Sequence, residues 1–118
     1  MTPKRIPIPS DLVLKVCITD LYDSDAEAID ITELNAIDLT FSAGGASVDF
    51  NIEAGSTPPD GVTIVTTDGD PYIVVCLCTK DLLPGQLTLR SSVAIPDTRF
   101  HDSERVEVAE YLFDIILT

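Results

Sequence analysis

Residues 36–53 read AIDLTFSAGGASVDFNIE. Ile37, Leu39 and Phe41 alternate with Asp38, Thr40 and Ser42 before the glycine pair, and Val48, Phe50 and Ile52 alternate with Asp49, Asn51 and Glu53 after it. A period of two places each apolar set on one face of an extended strand. Gly44-Gly45 separates the two runs, and glycine readily adopts the positive φ angles that a two-residue hairpin turn requires. The segment predicts an antiparallel hairpin with one face in a core and the other in water.

The same alternation recurs along the chain. In LVLKVCIT, Leu12, Leu14, Val16 and Ile18 oppose Val13, Lys15, Cys17 and Thr19. GVTIVTT and YIVVCLCT flank Asp68-Gly69-Asp70-Pro71, a second turn signal, and QLTLRSSVAI and VEVAEYLFDIIL supply two further β-rich runs. A short AIDIT near residue 30 reads as one more strand. The last run also fits a helical spacing through Val108, Tyr111, Leu112 and Ile115, but its β-rich neighbourhood favours strand. STPPD, TKDLLPG and DTRFHDSER leave room only for short helical turns. About seven strands at spacings of roughly 8 to 12 residues indicate an all-β, antiparallel two-sheet sandwich.

With 118 residues, 45% of them hydrophobic, the chain fits one core. We assign that single domain to residues 11–118. Residues 1–10 differ in kind: Pro3, Pro7 and Pro9 fix an extended, polyproline-like arm. Two readings stand for it, a frayed terminus or an arm that Ile6 and Ile8 dock on its own domain or on a neighbour.

The net charge of −13 would repel a phosphate backbone, and no basic stripe offsets it, so neither nucleic acid nor an anionic membrane is an expected partner. The start, MTPKRIPIPSDLVLKV, interrupts any apolar stretch with Pro7 and Pro9, so no secretory signal and no export are expected. Three cysteines, an odd number, fit free thiols in a reducing compartment.

Three stretches carry residue types that could do chemistry. Cys76 and Cys78 form a C-x-C, but a structural zinc needs four ligands, and Cys17 and His101 lack matching spacing. The two thiols are expected to pack as small hydrophobes in the core or at its margin. The run DLYDSDAEAIDITEL opens like a calcium loop at Asp23, Asp25 and Glu27, then fails with Ala28 at the glycine position and Leu34 at the bidentate position. A solvated connection between strands is the better reading. His101 stands among charged neighbours in RFHDSER with no recognisable nucleophile, and no Gly-rich loop leads from a strand into a helix. A small hydrolase working through Asp23, Asp25 and His101 is the weakest of the alternatives. No cofactor, no metal and no enzymatic activity are expected.

One strand points to association instead. YIVVCLC is apolar on both faces, with Tyr72, Val74, Cys76 and Cys78 on one and Ile73, Val75 and Leu77 on the other. In a two-layer sandwich one face meets solvent and is polar. The second apolar face is therefore expected to pack on another subunit or on the arm of one. YLFDIIL gives the same hint, because Tyr111 and Phe113 oppose Leu112 and alternation fails at Ile115-Ile116-Leu117. The interface candidates are Ile6, Ile8, Tyr72, Val74, Cys76, Cys78, Tyr111 and Phe113, and a homo-oligomer is the expected state.

The order of features also resembles a known family. DLVLKVCITD is followed by a loop and IDITELNAIDLTF, then a polar hairpin, then an apolar strand closing in TKDLLPGQLTLRSSVAIPDTRFHDSERVEVAEYLFDIIL. This is similar to the immunoglobulin-like β-sandwich at the N-terminus of phage baseplate upper proteins and related tail or head fibre proteins, including those of Bacteroides-type phages and prophages. Its recurring patterns correspond to Asp30–Thr32 or Asp38–Thr40, to Leu82–Gly85 and to Asp97–Arg105, and the similarity runs from Asp11 onward. The family's domains are followed by a fibre, a coiled coil or a receptor-binding module, whereas Thr118 follows the last strand directly. A stand-alone virion component and an anchoring domain are both open. The resemblance implies a non-enzymatic structural protein that is assembled in the host cytoplasm, docks in the capsid, tail or baseplate, and holds other virion proteins and copies of itself in register. An immunoglobulin-like module that binds a surface glycan or a host receptor is the alternative.

Overall fold

The computed structural model describes residues 3–17, 34–66 and 72–118. Eight strands follow in chain order: β1 (Lys4–Ile6), β2 (Asp11–Val16), β3 (Ala36–Ala43), β4 (Ala46–Glu53), β5 (Val62–Val65), β6 (Tyr72–Cys78), β7 (Gly85–Pro96) and β8 (Glu104–Leu117). Among the described residues the only helical element is a 3₁₀ turn at Thr79–Asp81. The strand read near residue 30, the Asp23–Asp25–Glu27 run and the Asp68–Pro71 turn lie outside the described residues.

The strands form two sheets, one of five in the order β1-β8-β7-β3-β4 and one of three in the order β2-β6-β5. All pairings are antiparallel except β1 with β8, which run parallel with Lys4 opposite Ile115 and Ile6 opposite Leu117. The inner faces of the two sheets meet in one apolar cluster. Ile37, Leu39 and Phe41 of β3, Leu87 and Leu89 of β7, Ile73, Val75 and Leu77 of β6, and Leu117 of β8 are its most deeply buried strand members. Burying each such side chain contributes about 1.5–3 kcal/mol. Phe41 holds the middle, edge-on to Phe50 at 5.9 Å and stacked on Phe113 at 6.2 Å between ring centroids.

The hairpin of residues 36–53 forms as its alternation predicts, with Ala43 opposite Ala46 across the turn. Both turn glycines have positive φ, 62° at Gly44 and 90° at Gly45, the combination that matches the twist of the flanking strands. The two positions differ in their surroundings. A Cβ at Gly44 would fall 2.5 Å from the Pro84 carbonyl oxygen and 2.6 Å from the Leu83 Cβ, whereas nothing lies within 4 Å of one at Gly45. Leu82-Leu83-Pro84-Gly85 thus closes over the hairpin, with Leu82 buried beneath it.

At the same end, Thr79 ties β2 to β6. Its hydroxyl accepts from the Ser10 backbone N–H at 2.8 Å and donates to the Ser10 carbonyl at 3.0 Å, a carbonyl that also receives the Thr79 N–H. Thr79 is fully buried, so these bonds supply the partners that a buried hydroxyl requires.

Of the two readings of the N-terminal arm, docking on its own domain is the one that the structure shows: Lys4–Ile6 is a strand of the five-stranded sheet, Ile6 enters the core, Thr118 N–H donates to the Ile6 carbonyl, and Ile8 N–H donates to the Thr118 carbonyl. The thiols of Cys76 and Cys78, expected in the core or at its margin, are exposed. The reason is that β6 turns Ile73, Val75 and Leu77 inward and fills the available core with them.

Candidate interaction surface

The functional candidates sit on the outward faces of the sheets and at one loop. On the three-stranded sheet, Tyr72 and Val74 are half-buried, Cys76 and Cys78 are exposed, and Val13 of the neighbouring strand is 73% exposed. The Lys15 ammonium lies 4.3 Å from the centre of the Tyr72 ring, a cation–π contact that covers part of the phenol face. Among the described residues the chain's own N-terminal arm does not cover this face, because β1 belongs to the other sheet.

Of the remaining predicted interface residues, Ile6 is a core residue and Ile8 packs against the core's margin. Tyr111 and Phe113 are half-buried and turn inward, Phe113 onto Phe41. They border a cleft of about 450 Å³ between the sheets, with Lys15 and Val16 on its far side. The structure therefore gathers Tyr72, Val74, Cys76 and Cys78 on one outer face and sends the other four into or beside the core.

The residues that sequence reasoning missed are on the other side of β8. Val106, Val108 and Leu112 face outward, 59%, 38% and 73% exposed. They stand opposite Ala94, Ser92 and Thr88 of β7, small side chains that leave them projecting. The signal was present in VEVAEYLFDIIL, where both alternating sets contain large apolar residues. The choice between the two sets depends on the register with β7, which local sequence does not carry. The failed alternation at Ile115-Ile116-Leu117 has its own cause: pairing jumps from Thr88–Leu112 to Gln86–Ile116, so β8 carries two extra residues opposite Leu87. Such a bulge kinks the strand and re-aims its side chains.

The loop 97–103 between β7 and β8 is fixed by one carboxylate. Asp97 accepts from Arg99 through Nη2 at 2.6 Å, Nε at 2.9 Å and the backbone N–H at 3.1 Å, and from Arg105 Nη1 at 3.4 Å. The side-chain bonds from Arg99, then its backbone N–H, hold the Asp97 carboxyl at about 2, against an ordinary value of 3.8, although burial acts in the opposite direction. Arg105 also approaches the buried Glu107 carboxylate, at 3.6 Å. Asn35 donates to Glu104 at 2.8 Å and ties this end of β8 to the start of β3. The result is a cleft of about 470 Å³ lined by Arg99, Phe100, Glu104, Arg105, Val106 and Glu107, with Phe100 half exposed on its rim.

His101 is almost wholly exposed, and its Nε2 lies 3.9 Å from an exposed Asp102. Among the described residues, no group of three or more His, Cys, Asp or Glu is placed to hold a metal ion. No helix of the described residues is long and apolar enough to cross a membrane. Comparison of the chain with protein-family models, with curated proteins and with solved structures gives no match.

Proposed function

We propose that this chain is a non-enzymatic assembly module, an immunoglobulin-like sandwich that docks in a phage virion and associates with copies of itself. The immunoglobulin-like part of the reading is supported by strand order. A parallel pair of first and last strands, a β8-β7-β3-β4 sheet facing β2-β6-β5, and antiparallel pairing elsewhere follow the pattern of such domains. The virion part rests on the resemblance carried by Leu82–Gly85 and Asp97–Arg105.

The observation that carries the assembly reading is the set Val106, Val108 and Leu112, exposed along the outer face of β8 with Glu110 between the last two, on a sheet whose other outward residues are mostly polar. Contiguous exposed apolar side chains with a polar surround mark interaction surfaces. Light scattering on the purified chain in reducing buffer tests it: a mass above that of one chain is expected, and a strict monomer at high protein concentration would remove the reading. The genes on either side test the virion half. Portal, capsid and tail genes are expected there, and metabolic neighbours would leave assembly without a virion.

A further inference from the structure

Among the described residues, one edge of the long strand β8 is largely unpaired. On its side away from β7 the only neighbouring strand among the described residues is β1, which runs beside Ile115–Leu117 and no further. From Glu104 to Asp114 no described strand lies on that side. Open edges of this length are templates for pairing, and proteins that do not use them shorten, charge or cover them. The outward face of this edge carries Val106, Val108 and Leu112.

Resting on the assembly reading above, we infer that the partner at this edge is β8 of a second copy, paired antiparallel about a two-fold axis through Ala109, so that two five-stranded sheets join into one. The axis follows from geometry and charge. A two-fold axis perpendicular to the sheet keeps outward residues outward, so each residue must face one of the same parity, and the axis must pass through a residue position. At Glu110 it would set that carboxylate directly against its own copy, and at Glu107 it would do the same inside the sandwich. Like charges directly opposed across a strand pair destabilise it. At Val108 it would set Val106 against Glu110 and Leu112 against Glu104. At Ala109 it sets Val106 against Leu112 twice, once on each side of the axis, and places the smallest side chain of the strand at the crossing point. Glu110 then faces Val108 while remaining opposite Arg90 of its own sheet. The one like-charged pair, Glu104 with Asp114, falls at the two ends of the paired stretch, where solvent and salt screen it. Arg105 and Glu107 keep the contacts they already make with Asp97 and with each other. The self-complementarity of the Val106–Leu112 match is what selects a second copy over an unrelated chain.

The test is a charge swap across the proposed register, read as solution mass by light scattering on the full chain in reducing buffer. Val106 and Leu112 are exposed, so their replacement leaves the core intact, and circular dichroism checks this. The wild type is expected to give a dimer. Val106→Lys alone and Leu112→Asp alone are each expected to weaken association at least tenfold. The double variant is expected to restore it, because each introduced ammonium then faces the introduced carboxylate of the other copy. An oligomer indifferent to both single changes would overturn the β8 edge and leave the assembly reading standing. Single changes that dissociate the dimer without rescue by the double would overturn the axis at Ala109. A monomeric wild type would remove both.

Discussion

Asp97 makes the stability of the molecule depend on acid pH. Its folded-state value of about 2 lies below the ordinary 3.8, so its carboxylate contributes stability that is present above pH 4 and is lost as pH falls from about 4 towards 2. Asp97→Asn is expected to lower the melting temperature at pH 7 and to melt with the wild type near pH 2. A difference of equal size at both pH values would contradict this account. A second test concerns the two turn glycines. Gly44→Ala meets the Pro84 carbonyl and Leu83 at a positive φ, and should cost more than about 1 kcal/mol in urea denaturation. Gly45→Asn, in open space and with a side chain that tolerates the left-handed region, should cost much less. Thr79→Val removes a buried hydroxyl and leaves the Ser10 N–H without its acceptor, an expected loss of about 1–3 kcal/mol.

Among the elements, β3 supplies the centre of the core and β8 carries the exposed apolar residues Val106, Val108 and Leu112. Phe41→Ala would strip both ring contacts from a fully buried position, and chemical denaturation should register a loss of about 3–5 kcal/mol. A loss under 1 kcal/mol would mean that the sheets collapse onto the cavity more readily than these contacts imply. β3 and β4 were legible in the sequence because their apolar and polar sets are cleanly separated, so alternation alone fixes which face is inward. β6 and β8 were legible as strands but not in their orientation. When Tyr72, Val74 and Cys76 alternate with Ile73, Val75 and Leu77, a period of two says that the faces differ and not which one is buried. That decision is made by pairing with β2 and β5, whose inward residues Leu14, Val16 and Val62 set the side on which the core lies. The bulge in β8 was equally hidden, since it is a mismatch in length between two strands rather than a property of one. β1 was obscured by the prolines that flank it, which made an extended arm readable but gave no sign of its pairing with residues more than a hundred positions away.

At the scale of the whole molecule, a charge of −13 acts against any self-association. Two copies brought together repel, and the Debye length that governs this repulsion falls from about 30 Å at 0.01 M salt to about 3 Å at 1 M. Apolar contacts do not weaken over that range. The oligomer fraction, measured by sedimentation, is therefore expected to rise with added sodium chloride, and a fall would point to an interface held by ion pairs. The exposed thiols of Cys76 and Cys78 bear on every such measurement. In air they can cross-link two molecules through the three-stranded sheet, and the covalent pair would match a β8-edge dimer in mass while sharing none of its geometry. Kept reduced, the same two positions become an asset. With the equally exposed Cys17 replaced by serine, spin labels at Cys76 and Cys78 sit on the outer face of the three-stranded sheet rather than on β8, so the separation between labels on two copies measures how the sandwiches are arranged without touching the surface that joins them.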